Sequence, residues 1–307
     1  MTVKAGRAMG APEVRGLTTE SQNRASAELD TRPALEIARI INAEDAKVAA
    51  AVEQALPEIA QAIDWIADAI GRGGRLIYVG AGTSGRIAAL DASECPPTFG
   101  ADPKTVRYVM AGGEKALGRA AEFNEDSRRH GERDLARLKP NKKDVVVGVA
   151  ASGRTPYTVA AVEYARRKGA RTVAVVCNRD SQLERAAELA IVAEVGPEVV
   201  SGSTRMKAGT AQKLVLNMLS TGAMTRLGYV YGNLMVNVRL KNRKLVERGI
   251  GILERALGVD RAVAERAIAE SGQSVPVALV MLKAGVSRRE AEKRLKAAKG
   301  NVRQAMG

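Results

Sequence analysis

The stretch Leu76-Ile-Tyr-Val-Gly80-Ala-Gly-Thr-Ser-Gly85-Arg86 decides the fold prediction. Four apolar residues are typical of a short buried strand, and the small and hydroxyl-bearing residues after them lead into a helical segment. The stretch Val145-Val-Val-Gly-Val-Ala-Ala-Ser-Gly-Arg-Thr-Pro156 loosely repeats this order. We therefore predict two strand–loop–helix units, and we name their turns the first hydroxyl loop (80–86) and the second hydroxyl loop (150–155).

Three more short apolar runs follow the same pattern, at Val106–Met110, Thr172–Val176 and Ala190–Val195. Continuous β-branched runs that alternate with helices are typical of a parallel sheet covered on both faces. We predict an α/β fold with a doubly wound, mostly parallel sheet and a small C-terminal helical module. The expected parts are an N-terminal arm over 1–32, an α/β domain with N-terminal helices over 33–257, and a three-helix module over 258–307.

The composition limits the classes of partner and compartment. The chain has 307 residues and a formal net charge of +14, which favours an anionic partner, but the basic residues are spread out and do not favour nucleic acid. We see no apolar stretch that could cross a membrane, and no secretory signal is expected in Met1–Gly16. Cys95 and Cys177 are too few for a disulfide framework, so we expect a cytoplasmic protein.

Both hydroxyl loops have the chemistry of a phosphate site. Glycines let the backbone approach a ligand, helix starts offer N–H groups, and hydroxyls add donors. The candidate phosphate-binding residues are Thr83, Ser84, Ser152, Arg154 and Thr155. Two alternatives stay open: a dinucleotide site, since the first loop has G-x-G-x-x-G spacing, or ordinary turns capped by hydroxyls.

Carboxylates are the remaining candidates for acid–base chemistry. His130 is the only histidine and neither cysteine has a partner at ligand spacing, so we expect no metal, no cofactor and no Ser/His/Asp arrangement. Glu94 precedes two prolines that end a helix, and Glu125 lies in a polar segment. For each glutamate alone, a surface carboxylate is the alternative interpretation.

A third cluster runs from Gly196 to Thr210 and precedes a long apolar segment. Its hydroxyls, carboxylate and cations resemble an anion- or sugar-binding helix start, and the candidates are Glu198, Ser203 and Lys207. The alternative is a helix capped by Ser203 or Thr204.

Three motifs together resemble the bacterial N-acetylmuramic acid 6-phosphate etherases. The first is Gly80-Ala-Gly-Thr-Ser-Gly-Arg-Ile-Ala-Ala-Leu-Asp-Ala-Ser-Glu-Cys-Pro-Pro-Thr98. The others are Ala151-Ser-Gly-Arg-Thr-Pro-Tyr157 and Gly202-Ser-Thr-Arg-Met-Lys-Ala-Gly-Thr-Ala-Gln-Lys213. The glucokinase regulatory protein shares the third motif, but it carries two sugar isomerase domains and this chain has room for one.

The resemblance implies a sugar isomerase domain, a homodimer and a sugar-phosphate substrate bound near the subunit interface. It implies cleavage of the D-lactyl ether of N-acetylmuramic acid 6-phosphate to N-acetylglucosamine 6-phosphate and D-lactate, in cell-wall recycling. By motif match, Glu94 and Glu125 are the two acid–base carboxylates. The division of roles between them stays open.

Two other functions are compatible with the same loops. An aldose–ketose isomerase would share the phosphate loops without needing the surroundings of Glu94. A non-catalytic sugar-phosphate sensor or transcription regulator would suit the basic charge, but we find no helix-turn-helix domain before the sugar-binding part.

Overall fold

Five parallel strands form one sheet in the computed structural model, which describes residues 17–119 and 124–307. The strand order is β2-β1-β3-β4-β5. The strands are β1 (Leu76–Gly80), β2 (Val106–Met110), β3 (Val145–Val149), β4 (Arg171–Val176) and β5 (Leu189–Val192). The predicted α/β class with a parallel sheet is confirmed.

Helices cover both faces of this sheet. The α-helices among the described residues are α1 (Ala34–Asp45), α2 (Val48–Glu53), α3 (Leu56–Gly71), α4 (Gly82–Phe99), α5 (Arg128–Ala136), α6 (Pro156–Arg167), α7 (Gln182–Ala186), α8 (Lys207–Arg226), α9 (Arg243–Leu257), α10 (Arg261–Glu270), α11 (Val275–Ala284), α12 (Arg288–Ala297) and α13 (Val302–Met306), and the last five belong to a separate hydrophobic cluster. Alternate residues of β1 point to opposite layers. Leu76 and Tyr78 pack in the core that contains α3, α4 and α8, whereas Ile77 and Val79 pack with α5 and α6.

The helical spacing of apolar residues over 33–70 predicts one helix there, and this prediction is wrong, because the structure has three helices. Pro57 lies in the first turn of α3, where its missing N–H costs no helical hydrogen bond but prevents a continuous helix from α2. The break between α1 and α2 falls at Ala46 and Lys47, which carry no sequence signal for it.

The residues from Val236 to Ala305 form a hydrophobic cluster of their own. Four helices lie within 258–307, one more than we expected. Helices α10 and α12 start 27 residues apart, and so do α11 and α13. Ala264 and Ala291, which correspond in this repeat, are both fully buried. The module is thus a duplicated pair of helices.

No helix among the described residues is both long and apolar enough to span a bilayer.

Candidate functional site

The two hydroxyl loops meet at the carboxyl edge of the sheet. Strands β1 and β3 are direct neighbours, with Gly80 opposite Val149, so the loops that follow them lie side by side. From β1 the chain proceeds outward to β2 and then returns to the other side of β1 at β3. Parallel sheets of this strand order bind ligands at the β1/β3 switch point, just outside the strand ends.

The first hydroxyl loop is a tight strand-to-helix turn. Gly82 begins α4 with φ of +53°, a conformation that favours glycine. Gly80 and Gly85 approach so closely that a Cβ on Gly80 would lie 2.9 Å from the Gly85 nitrogen. Thr83 is half-buried and Ser84 is buried in the first turn of α4. The loop therefore presents backbone N–H groups and two hydroxyl residues at the positive end of a long helix.

The second hydroxyl loop has the same construction at the start of α6. Gly153 has φ of +64°, and a Cβ there would lie 2.3 Å from Oγ of Ser181. The Ser152 hydroxyl accepts a hydrogen bond from the Arg154 backbone N–H at 3.2 Å. The Nε atom of Arg154 is buried and has no hydrogen-bond partner among the described residues. A cation with an unused buried donor, beside a helix start, suits an anionic ligand.

Glu125 joins the two loops. Its backbone carbonyl accepts a hydrogen bond from the N–H of Tyr157, in the first turn of α6, at 3.0 Å. A Cβ placed on Gly82 would lie 3.0 Å from Oε1 of Glu125. The sequence placed Glu125 among the catalytic candidates, and the structure places its carboxylate against the first hydroxyl loop.

The third motif also contacts the first loop, because α8 starts beside it. A Cβ on Gly209 would lie 3.6 Å from Cγ2 of Thr83. Ser203 is half-buried and precedes α8 by one turn. The structure thus brings four features together at one edge of the sheet. They are the first hydroxyl loop with Thr83 and Ser84, the second with Ser152, Arg154 and Thr155, the side chain of Glu125, and the start of α8.

Glu198, which we expected to contact the substrate, is buried beside the start of α8. Its side chain is fully buried, and its two carboxylate oxygens accept hydrogen bonds from the backbone N–H groups of Lys207 and Ala208, each at 2.9 Å. A buried carboxylate at a helix start satisfies N–H groups that lack partners within the helix. The structure therefore gives Glu198 the role of the cap of α8, in place of Ser203 or Thr204.

Lys207 is likewise buried within the chain. Its Nζ lies 2.7 Å from Oε2 of Glu44, and the two side chains are 1% and 5% exposed. Burial alone raises the pKa of the Glu44 carboxyl, but hydrogen bonds from Lys207 and Lys47 outweigh this effect and lower the pKa to about 2. Lys207, which we predicted to contact the substrate, thus forms an internal ion pair that links α8 to α1.

Glu94 lies apart from the other candidates of its own chain. It is an exposed residue on α4, twelve positions after Gly82. Since an α-helix rises about 1.5 Å per residue, its Cα lies roughly 18 Å along the helix axis from that of Gly82. The helix continues through Pro96 and Pro97 to Phe99, so the prolines do not end it where the sequence suggested.

Among residues 17–119 and 124–307, no three His, Cys, Asp or Glu side chains gather in a way that could hold a metal ion. His130 lies at the start of α5, where its Nδ1 is 3.0 Å from Oδ1 of Asn124. Cys95 and Cys177 are buried and unpaired with each other. Burial raises the pKa of each thiol to about 12, so neither is a reactive thiolate.

Relatives with known names match this chain over nearly its whole length. The N-acetylmuramic acid 6-phosphate etherase of Aeromonas hydrophila is 52% identical over 292 residues, covering 95% of this chain and 98% of the relative. The enzyme of that name from Symbiobacterium thermophilum is 58% identical over 275 residues, covering 89% of this chain and 91% of the relative. The chain belongs to the N-acetylmuramic acid 6-phosphate etherase family. In this etherase-family chain, the family described as glucokinase regulatory protein N-terminal SIS domain matches residues 58–166, and the SIS domain family matches residues 123–222.

Solved structures similar to this etherase-family chain include a phosphoheptose isomerase from Francisella tularensis. It is 18% identical with a TM-score of 0.49, covering 63% of this chain and 100% of the solved one. The phosphoheptose isomerase of Neisseria gonorrhoeae is 16% identical with a TM-score of 0.48 and the same coverage.

The sequence predicted the N-terminal arm of this etherase-family chain, but not the contacts that the arm makes beside the candidate site. Asn178, just after β4, accepts a hydrogen bond from the Thr18 N–H at 3.0 Å and donates to the carbonyl of Ala151, next to Ser152, at 3.0 Å. The arm carbonyl of Thr19 accepts from the Gly202 N–H at 3.3 Å. The arm therefore ties the second hydroxyl loop to the third motif within one chain; its residues 1–16 lie outside the described part.

Proposed function

We propose that this chain cleaves the D-lactyl ether of N-acetylmuramic acid 6-phosphate, giving N-acetylglucosamine 6-phosphate and D-lactate, in cell-wall recycling. The single observation that carries the proposal is the identity of 52% with a named etherase over 95% of the chain. The convergence of two hydroxyl loops and a glutamate at the β1/β3 switch point supports it independently.

The phosphate of the substrate binds at the second and first hydroxyl loops in this proposal. Helices α4 and α6 both start there, and neither N-cap residue, Ala81 or Thr155, caps its helix with a side chain. Two helix dipoles and the unused Nε of Arg154 favour a dianionic monoester. The start of α8 differs, because the buried carboxylate of Glu198 already occupies its first N–H groups.

The reaction proceeds through elimination on the open-chain sugar. A carboxylate removes the proton from carbon 2, which is acidic because it adjoins the aldehyde. The bond between carbon 3 and the ether oxygen then breaks, and a carboxylic acid protonates the departing D-lactate. Water adds to the resulting double bond, with its hydroxyl on carbon 3 and a proton on carbon 2. Each positioned acid or base contributes about 10²–10⁴-fold.

We assign the two proton transfers to Glu94 and Glu125. Glu125, against the first hydroxyl loop, is our candidate for the base at carbon 2, and Glu94 is our candidate for the acid at the lactyl oxygen. This chemistry calls for no metal or organic cofactor. We further propose that the protein is a cytoplasmic homodimer with the site near the interface, which suits its two buried, unpaired cysteines.

The test is release of D-lactate from N-acetylmuramic acid 6-phosphate, together with exchange of the carbon-2 proton into deuterated solvent. Glu94→Gln should keep exchange and lose lactate release, whereas Glu125→Gln should lose both, because deprotonation precedes departure of the lactate. Wild-type protein that interconverts aldose and ketose phosphates without releasing lactate would make this chain an isomerase.

A further inference from the structure

The N-terminal arm brings a carboxylate, that of Glu20, close to the second hydroxyl loop. The Nδ2 atom of Asn178 donates both to Oγ1 of Thr19, at 3.2 Å, and to the carbonyl of Ala151, at 3.0 Å. Glu20 follows Thr19 in the chain, and Ser152 of the second hydroxyl loop follows Ala151. Two hydrogen bonds to one nitrogen atom therefore connect the backbone beside Glu20 to the backbone beside the proposed phosphate site, a span that one hexose phosphate can bridge.

The backbone around Glu20 is fixed to the third motif. The Glu20 carbonyl accepts a hydrogen bond from Oγ of Ser201 at 3.0 Å, and the Thr19 carbonyl accepts one from the Gly202 N–H at 3.3 Å. Thr19 is fully buried, so this part of the arm is packed as well as hydrogen-bonded. The carboxylate lies over Gly202, where an added Cβ would be 3.1 Å from Oε2 of Glu20. The arm thus holds this carboxylate in a defined place, one residue before Ser203.

The Glu20 carboxylate contributes nothing visible to the stability of the fold. Glu20 is exposed, and its side chain forms no hydrogen bond or ion pair with residues 17–119 or 124–307. Glu28, another exposed carboxylate of the arm, differs because it pairs with Arg32 at 2.8 Å. Ordering a backbone costs conformational entropy, and here the ordered segment presents an acceptor whose hydrogen bonds are still unused. A bound ligand with hydrogen-bond donors would use them.

The charge of Glu20 limits which part of the proposed substrate it can meet. A carboxylate only accepts hydrogen bonds, and it repels both the phosphate and the lactyl carboxylate. The neutral donors of the open-chain sugar are the acetamido N–H on carbon 2 and the hydroxyls on carbons 4 and 5. Since the phosphate on carbon 6 is assigned to the hydroxyl loops, the hydroxyls on carbons 4 and 5 are the donors nearest to it and to Glu20.

We infer that Glu20 is a specificity-determining residue, which accepts a hydrogen bond from the hydroxyl on carbon 4 or carbon 5 of the sugar phosphate. This inference rests on the proposed function, which supplies the substrate. A site that is built to bind a hydroxyl group discriminates against an analogue without it, because the acceptor is then left unpaired. Glu20 therefore selects the sugar, while the hydroxyl loops select the phosphate.

A variant and two substrate analogues together test the contact. The kcat/KM for D-lactate release is measured for wild type and Glu20→Ala, with the full substrate and with its 4-deoxy and 5-deoxy analogues. Glu20→Ala should lower kcat/KM for the full substrate by about 10- to 150-fold, which corresponds to one hydrogen bond to a charged acceptor. With the analogue that lacks the contacted hydroxyl, wild type and variant should differ by less than about twofold, because the interaction is already absent.

A purely structural role of Glu20 would give a different pattern. A displaced arm would lower kcat/KM by the same factor for all three substrates, and that result would overturn the inference. An unchanged kcat/KM of Glu20→Ala with the full substrate would overturn it as well. Glu28→Ala is the matched control, since it also removes an exposed carboxylate of the arm, and it should keep the wild-type kcat/KM with every substrate.

A binding measurement separates this inference from the proposed function. Calorimetry with N-acetylglucosamine 6-phosphate needs no turnover, and this sugar phosphate keeps both hydroxyls. Glu20→Ala should raise its Kd by about 10- to 150-fold. If wild type releases no D-lactate but this difference in Kd is seen, the reaction is wrong and the contact stands. If wild type is active and the two Kd values are equal, the contact is wrong and the reaction stands.

Discussion

Replacing Lys207 by methionine should destabilise the protein rather than weaken substrate binding. Lys207 and Glu44 form a buried ion pair with Nζ and Oε2 2.7 Å apart. The substitution keeps the bulk of the side chain but leaves the Glu44 carboxylate buried with the exposed Lys47 and the Asn23 amide as its remaining partners. Breaking a buried pair by removing one partner costs about 3–5 kcal/mol, because the remaining charge is uncompensated.

The pKa of Glu44 gives a second measure of the same interaction. The pKa is about 2 in the folded protein against an ordinary value of 4.5, a difference worth about 3 kcal/mol. Because the folded pKa is the lower one, this stability is fully present above pH 4.5 and is lost as the pH falls toward 2. The difference between wild type and Lys207→Met should therefore be largest near pH 7 and shrink below pH 4.5.

Urea unfolding followed by circular dichroism at pH 7 and pH 3.5 measures both effects. Arg261→Met is the matched control, since Arg261 pairs with Glu247 at 2.7 Å while both side chains are about half exposed, and solvent screening of this pair should make its loss far less costly than that of Lys207. Should Lys207→Met fail to fold, the variant Glu44→Gln/Lys207→Met removes both charges and should recover a folded protein. Unchanged stability together with a tenfold higher KM would refute the reasoning and make Lys207 a substrate contact.

Four further outcomes follow from the site. Ser84→Ala and Ser152→Ala should each raise KM by about 10- to 150-fold, because each variant loses one charge-assisted hydrogen bond to the phosphate. The circular dichroism spectrum should not change. If KM were unchanged in both variants, the hydroxyl loops would not bind the phosphate. Gly82→Ala should lose most turnover, because its Cβ would crowd the Glu125 carboxylate. Gly113→Ala is the control, since Gly113 also has a positive φ, +64°, but no atom lies within 4 Å of the added Cβ, and it should keep its turnover. Equal losses of turnover in the two variants would point to backbone strain alone. EDTA should leave D-lactate release unchanged, and activity restored only by a divalent ion would contradict a metal-free site. Asn178→Leu should free the N-terminal arm, seen as faster limited proteolysis before α1, and an unchanged cleavage rate would show that other contacts hold the arm.

The sheet could be predicted from sequence because its strands are short, continuous and apolar. Residues Val145–Val149 are buried on both faces of the sheet, which is typical of a parallel strand covered by helices on both sides. The strand bounds in the structure agree with the predicted bounds within a few residues. The hydroxyl loops could be predicted for the same reason, since each directly follows such a strand.

Charged residues of the third motif could not be assigned from sequence. A lysine beside hydroxyls suits an external anion and an internal carboxylate equally well, and the partner of Lys207 lies 163 positions earlier in the chain. Glu198 presents the same ambiguity, because a carboxylate before a helix either binds a ligand or caps the helix. Glu94 is a different case, because its distance from Glu125 depends on the length of α4. The two prolines predicted that this helix ends before Pro96, but it continues to Phe99.

The N-terminal arm has a consequence for the order in which the molecule forms. Its hydrogen bonds to Asn178, Val199 and Ser201 join residues 160, 173 and 181 positions apart, so the arm docks on segments that are synthesised much later than the arm itself. Contacts of such long range close large loops and form slowly. We expect a late folding phase in which the sheet is already protected from hydrogen exchange while the Thr18 amide still exchanges, and substrate binding should be acquired only as that amide becomes protected.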